Sequence, residues 1–222
     1  MKKFLVLFLA LTIVAGFSAV SWAGIEGSVH DLRGEIGANG QICIVCHAPH
    51  GNQSVFGAPL WNHAVTTQTF TMYSSDSLDA VVPGDLPDGN SKLCMSCHDG
   101  VTSIDAFGGS TGSRVITGDA NLTTDLSDDH PISFVYNDAL ATSDGALENP
   151  ETAQVTIGTG GDRQATGTIE DVMLSGTAGG STVECSSCHS VHNDFVAGGA
   201  AGTALLKIQA DASAICQACH LK

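Results

Sequence analysis

The chain has 222 residues, of which 23 are acidic and eight are lysine or arginine, so its formal net charge is −15 with histidine neutral. A field of that sign repels nucleic acid and anionic membrane surfaces and excludes both as principal partners. Cationic proteins or metal ions suit it better, although the acids could equally serve solubility alone.

Residues 1–23 have the pattern of a secretory signal peptide. Lys2 and Lys3 form a positive n-region, the stretch 4–20 is apolar and uncharged, and Ser21-Trp22-Ala23 offers small residues where a signal peptidase reads. We expect the mature chain to begin near Gly24, with six basic residues and a net charge of −17. No later apolar run is long enough to span a bilayer. The sequence therefore predicts an exported protein without a membrane span.

The mature part, 24–222, has a size that suits one domain but contains little material for a core. Eight aromatic residues are left after the leader: Phe56, Trp61, Phe70, Tyr73, Phe107, Phe134, Tyr136 and Phe195. Because such a chain buries too little apolar surface by itself, we expect large flat apolar cofactors to supply the core.

All eight cysteines fall into four Cys-x-x-Cys pairs, and a histidine follows each pair at once. The pairs are Cys43/Cys46, Cys94/Cys97, Cys185/Cys188 and Cys216/Cys219, and the histidines are His47, His98, His189 and His220. This spacing is that of the covalent attachment site of haem c. The two thiols add to two vinyl groups on one edge of the porphyrin, and the next residue reaches the iron from one face, where imidazole fits. The sequence therefore predicts four c-type haems, with the motif histidines as proximal iron ligands.

Three other uses of such cysteines compete with haem attachment: four disulfides, zinc sites and a thioredoxin-like redox pair. None of them needs a histidine after every pair. With nine histidines among 222 residues, four in four by chance has a probability on the order of one in several hundred thousand, which favours haem.

The motifs form two doublets along the chain. In each doublet the first motif carries one more histidine three residues after its motif histidine, namely His50 and His192, and the second motif does not. This pattern suggests a duplicated two-haem unit. We expect the units at 24–104 and 175–222, joined by a loop-rich segment within one tetrahaem domain.

The predicted fold is mostly irregular, with short helices at the motifs and a few short strands around the haems. Ser91 is expected to cap a helix that ends near Asp99, and Pro49 to limit the helix of the first motif. The clearest helical periodicity spans 205–219. Segment 101–183 is predicted to form loops and one or two hairpins, with strand-like runs at 132–136 and 172–174.

Five histidines outside the motifs are candidates for the second, distal iron ligands: His30, His50, His63, His130 and His192. Four haems need at most four of them. We rank His63 as the spare, and we expect Asp31 to orient His30 and a neighbouring carboxylate to orient His130. Because methionines are few, bis-histidine ligation and low potentials are predicted.

The positions of His50 and His192 restrict which haems they can reach. Each lies three residues after a proximal histidine, on or near the same helical face. Proximal and distal ligands approach an iron from opposite faces, and three residues cannot pass round the edge of a porphyrin. We therefore expect His50 to avoid the haem of His47 and His192 to avoid the haem of His189, so that each binds a different, neighbouring haem.

The chain resembles the multihaem c-type cytochromes of metal-reducing bacteria, in the group with doubled Cys-x-x-Cys-His motifs. The resemblance runs through nearly all of the mature chain and rests on residues 30–32, 42–50, 59–63, 93–100, 129–134 and 183–192. It is strongest to tetrahaem members that polymerise into extracellular filaments. It implies a head-to-tail homopolymer in which His50 ligates a haem of the next subunit, with other cytochromes or extracellular metal oxides as redox partners.

Electron transfer without bond chemistry is the function that the histidine surplus favours, because no iron need be left open. A monomeric periplasmic tetrahaem carrier is the main alternative to an extracellular filament. A multihaem reductase would need a five-coordinate haem and cationic groups to hold an anion, whereas the six basic residues of the mature chain are scattered. A secreted structural or metal-binding protein without haem is the least favoured alternative.

Overall fold

The computed structural model describes residues 24–34, 36–50, 53–55, 58–85, 87–158, 164–176, 179–192 and 205–221. The expected signal peptide, 1–23, lies outside these residues. The described chain is rich in loops, and its longest helix has ten residues. In these ranges no helix has both the length and the apolar character needed to cross a membrane.

The regular elements are short and are distributed along the whole chain. The strands are β1 Gln53–Val55, β2 Ala58–Trp61, β3 Phe134–Val135, β4 Gln154–Gly158, β5 Gln164–Thr168 and β6 Thr182–Val183. The helices are α1 Gly89–His98, α2 Asp138–Asp144, α3 Ile169–Val172, α4 Cys185–Cys188 and α5 Ala214–Gln217, and two 3-10 turns cover Gly118–Ala120 and Asp211–Ser213. Four of the helices have seven residues or fewer, so tertiary contacts rather than helix propensity must stabilise them.

The described strands form three separate antiparallel pairs, β1–β2, β3–β6 and β4–β5. The β4–β5 hairpin lies in segment 101–183, where hairpins were predicted, and its register runs from Gln154 opposite Thr168 to Gly158 opposite Gln164. The run 132–136 is strand only at Phe134–Val135. The strand predicted at 172–174 is wrong, because Val172 ends helix α3, whose first turn is capped by the Thr168 hydroxyl accepting from the Asp171 backbone N–H.

Helix α1 ends where the sequence predicted but begins earlier. Asp99 is its C-terminal cap, and Asp88 rather than Ser91 is its N-terminal cap, with the Asp88 carboxylate accepting from the Gly89 N–H. Ser91 is fully buried inside the first turn. The prediction for Ser91 failed because its hydroxyl has a long-range partner, the carboxylate of Glu184, which no local pattern reveals.

The long helix predicted over 205–219 is wrong. The chain there has only the 3-10 turn Asp211–Ser213 and helix α5, and within that turn Ala212 and Ser213 have φ values of 51° and 62°. Two consecutive left-handed residues interrupt a right-handed helix. The apolar residues of that stretch are used for packing instead, as with Leu205, which is 4% exposed.

The largest described core cluster lies in the middle of the chain, between the motifs. It is built from Phe134, Tyr136, Ala141, Ile157, Ile169, Met173 and Val183. Tyr136 is 2% exposed, and its hydroxyl donates to the carbonyl oxygens of Glu148 and Cys219, at 2.5 and 3.4 Å. The cluster therefore positions the fourth motif, to which Cys219 belongs.

Candidate functional site

Each Cys-x-x-Cys-His motif forms a single helical turn. The backbone N–H of the motif histidine donates to the carbonyl of the first cysteine at 2.8 Å in the first motif and at 3.0 Å in the third and fourth, and the second motif forms the end of helix α1. Residues three apart share one face of such a turn. The two sulfurs of each motif are therefore presented together, as attachment to one porphyrin edge requires.

The first motif is held by strand β2 rather than by a helix. The Ala48 N–H donates to the Leu60 carbonyl and the Asn62 N–H donates to the Cys46 carbonyl, both at 2.9 Å. Trp61, at the end of the strand, is 8% exposed and contacts the His47 ring edge to face. This strand fixes the direction in which the His47 imidazole points.

The third and fourth motifs are also bound to distant backbone. The Lys207 N–H donates to the Cys188 carbonyl at 2.8 Å. The Glu148 N–H donates to the Cys219 carbonyl at the same distance, and Leu147 forms a β-bridge with His220. These contacts place the motif histidines without long helices, which is why helical periodicity could not locate the site.

Four histidines have the same ring orientation relative to the backbone. The Nδ1 atom lies 2.9 Å from the Pro59 carbonyl oxygen in His47, 2.7 Å from that of Ala64 in His63, 2.7 Å from that of Ala120 in His98 and 2.8 Å from that of Pro131 in His130. A carbonyl oxygen can only accept, so Nδ1 carries a proton, and in the neutral ring Nε2 is the atom with the lone pair. This is the tautomer in which imidazole binds a metal through Nε2.

The partner of the His130 ring corrects an expectation from the sequence. A carboxylate of the acidic stretch before it was expected to orient the ring, and the backbone carbonyl of Pro131 does so instead. The acids of that stretch hydrogen-bond locally, as when the Ser127 N–H donates to Asp125.

Three motif histidines lie beside histidines from outside the motifs. Ring centroids are separated by 6.2 Å for His30 and His98, 6.3 Å for His47 and His192, and 6.5 Å for His130 and His220. The first and third pairs are nearly perpendicular, with interplanar angles of 76° and 78°, and the second is nearly parallel at 21°. In each pair the two residues come from distant parts of the chain.

These separations fit two imidazoles on opposite sides of one iron. With a metal–nitrogen distance of about 2 Å and about 1.1 Å from each Nε2 to its ring centre, the two centres lie roughly 6.2 Å apart. Rotation of one ring about the axis through both nitrogens changes the interplanar angle but not the distance. All eight motif cysteines are free thiols. The residues present therefore fit c-type haem.

His30 is held as a neutral imidazole. Burial, and then repulsion by the rings of His98, His189 and His192, lowers its pKa to about 4. A neutral ring is the form that binds a metal. The expected support from Asp31 is wrong: its carboxylate accepts from the Gly27 N–H and from Arg33, and His30 Nδ1 has no hydrogen-bond partner within the described part of the chain.

The remaining predicted ligands lie in different environments. His63 is 1% exposed and its Nε2 lies 3.6 Å from the Cys97 sulfur, so it is buried beside the second motif. His50 is exposed. His189 lies within electrostatic range of His30.

The first and last motifs border surface clefts. A cleft of about 580 Å³ beside the first motif is lined, among other residues, by Cys43, His47, His50 and Asn62. A second cleft of about 360 Å³ is lined by Ser213, Cys216, Gln217 and His220. Cys43, Cys46 and Cys216 are exposed, whereas the cysteines of the second and third motifs are half-buried.

No protein-family model and no curated protein matches the chain. In the described ranges, no group of three or more His, Cys, Asp or Glu side chains is arranged to hold a bare metal ion. The motifs and the geometry of the histidine pairs are therefore the features that bear on function.

Two features of the site were missed by sequence reasoning. One is the set of backbone carbonyls that orient the imidazoles, for which a sequence carries no signal. The other is the buried carboxylate of Glu184, which directly precedes the third motif and is 2% exposed. A glutamate next to a haem motif could have been noted, but its partners in the second motif could not.

Proposed function

We propose that the chain attaches four c-type haems and transfers electrons through them, without catalysing a bond-changing reaction. The observation that carries the proposal is the spacing of the three histidine pairs, at 6.2, 6.3 and 6.5 Å. When bound, the haems supply the ferric/ferrous couple.

The residues of the chain have three roles in this proposal. The eight motif cysteines hold the cofactors covalently, and the histidines bind the irons on both faces, which leaves no position for a substrate. The backbone carbonyls at Pro59, Ala120 and Pro131 fix the rings of His47, His98 and His130. A ring held in this way needs little rearrangement when the charge at the iron changes.

We further propose that the chain assembles head to tail into an extracellular filament, with His50 as the ligand given to a neighbouring copy. Support comes from the exposure of His50 and from its place at the cleft of the first motif. The fourth motif borders a cleft of its own. Two different surfaces that meet in this way form heterologous contacts, which do not close into a ring.

The first experiment measures the mass and the spin state of the purified native protein. Four covalently attached haems, all low-spin by electron paramagnetic resonance, are expected. A colourless protein, or cyanide binding to a high-spin haem in the fully assembled form, would contradict electron transfer as the function.

The second experiment images the sheared extracellular fraction by negative-stain electron microscopy, with haem staining of the same fraction after electrophoresis. Filaments of uniform width that contain this chain are expected. Red particles confined to the periplasm would instead identify a monomeric carrier, with every distal ligand supplied by the same chain.

A further inference from the structure

The second and third motifs, which belong to different two-haem units, are in direct contact. Helix α1, which carries the second motif, packs on helix α4 of the third. The side chains of Cys94 and Cys185 lie close to each other. After attachment these sulfurs would be thioether sulfurs, so the two residues would hold the edges of two cofactors near this contact.

Glu184 links the two motifs through hydrogen bonds beside this contact. Its Oε2 accepts hydrogen bonds from the backbone N–H of Ser91 at 3.3 Å, from the Ser91 hydroxyl at 2.5 Å and from the Ser133 hydroxyl at 3.2 Å. The Ser91 oxygen in turn accepts from the Cys185 N–H at 3.0 Å. Ser91 and Glu184 are both 2% exposed or less, so the connection between the motifs is dry as well as short.

The start of helix α1 leaves room for this carboxylate. Gly89 has φ +51°, and a Cβ atom at that position would lie 2.8 Å from Glu184 Oε1. Any side chain there would be strained and would push the carboxylate away. The local sequence of the second motif is therefore adapted to a residue of the third.

We propose that the electron path crosses between the two halves of the chain at the Cys94–Cys185 contact, and that Glu184 is the positioning residue that holds this contact and sets the potentials of the two haems beside it. The proposal rests on the proposed function and adds to it the order in which the second and third haems are connected.

A carboxylate that only accepts hydrogen bonds at this place has a directional effect. Glu184 lies within electrostatic range of both Cys94 and Cys185. A nearby anion stabilises the ferric state over the ferrous state and so lowers the reduction potential, more strongly in a dry interior than in water. One residue therefore affects the reduction potentials of both the second and the third haem. The first and last motifs border surface clefts instead.

The test compares Glu184→Gln with Glu170→Gln in the native tetrahaem protein. Glu170 is a matched control because its carboxylate also accepts from a serine hydroxyl and a backbone N–H, those of Ser181 and Gly179. Spectroelectrochemistry should show two of the four potentials raised in Glu184→Gln and none in Glu170→Gln. Adding His30→Met identifies the haem of the second motif, since a methionine ligand raises its reduction potential. Glu184→Gln should then raise that reduction potential further.

Geometry is tested separately with Glu184→Ala and circular dichroism in the Soret band. Loss of the clamp should reduce the exciton couplet between neighbouring haems while all four haems stay attached. If Glu184→Ala does not fold, Glu184→Gln still decides the question. A uniform shift of all four potentials, or none, would overturn the role of Glu184, and a wild-type protein without haem would overturn the proposed function instead.

Discussion

The imidazole rings of His47 and His192 lie nearly parallel, 6.3 Å apart, although they belong to the first and the third motif regions. His192 is thus next to the histidine of another motif. It shares no helical turn with His189, because helix α4 ends at Cys188 and His189 has extended backbone angles, with φ −108° and ψ 137°, so the shared helical face predicted for these two residues is wrong. The contact between these two side chains, His47 and His192, brings the first and third motif regions together.

Replacing His192 by alanine should leave four haems attached but convert one of them to the high-spin state. Under the proposed function, attachment requires only the cysteines, whereas the second ligand of the iron held by His47 is the imidazole of His192. Haem content by mass spectrometry and spin state by electron paramagnetic resonance check the prediction. A fully low-spin protein would show that another residue takes this position.

His50→Ala is the matched variant, because His50 occupies the same place in the first motif region. We expect four attached haems, one of them high-spin, and no filaments under the electron microscope. Under this hypothesis, dissociated wild-type subunits should show the same single high-spin haem, since the ligand comes from a neighbour. Fully assembled, low-spin His50→Ala protein would refute the inter-subunit role.

Tyr136→Phe should destabilise the fourth motif region while leaving the core filled. Burial raises the pKa of Tyr136 well above its usual range, so the hydroxyl keeps its proton and donates to Glu148 and Cys219. Losing a hydrogen bond of this kind typically costs about 0.5–1.5 kcal/mol of unfolding free energy. Denaturant titration measures this loss, and Tyr73→Phe, at a half-buried tyrosine, is the control. Equal unfolding free energies of Tyr136→Phe and Tyr73→Phe would contradict this prediction.

The loop that follows Ala106 should loosen in acid. The backbone N–H groups of Arg114 and Ser113 donate to Asp105 Oδ1 and lower the pKa of that carboxyl below its ordinary value of 3.8. A lowered pKa in the folded state contributes stability above the ordinary value, and this stability is lost as the pH falls through the folded value.

Amide exchange tests this dependence, expressed as protection factors at Ser113 and Arg114. Protection should fall only in acid for the wild type and should already be reduced at neutral pH in Asp105→Asn. Asp119→Asn, at an exposed residue of the 3-10 turn, should keep the wild-type profile. Protection that is independent of pH in the wild type would exclude the carboxylate as the anchor.

The sequence was sufficient for features that depend on local spacing. The motif histidines, the end of helix α1 near Asp99 and a hairpin between the doublets all follow from such patterns, and the structure has the helix end and the hairpin where expected. The regular spacing of 205–219 misled because Ala212 and Ser213 adopt left-handed backbone conformations, which apolar periodicity does not encode.

Long-range partners could not be predicted in the same way. Which motif histidine lies opposite His30, His130 or His192 depends on how loops return across the molecule, and several assignments satisfy the same spacing. His63 was ranked as the spare from its sequence context alone, after Pro59-Leu-Trp-Asn62. Its burial comes from contacts with Trp61 and the second motif region, which meet only in the folded chain.

Under the proposed function, the pairing of His47 with His192 also has a consequence for the order of events during export. A chain that crosses a membrane from its N-terminus exposes the first motif early and residue 192 only when most of the sequence has passed. A chain halted between these two points presents Cys43, Cys46 and His47 to the attachment machinery but lacks the opposite imidazole. The attachment site that is exported first is therefore among the last to gain its second imidazole ligand.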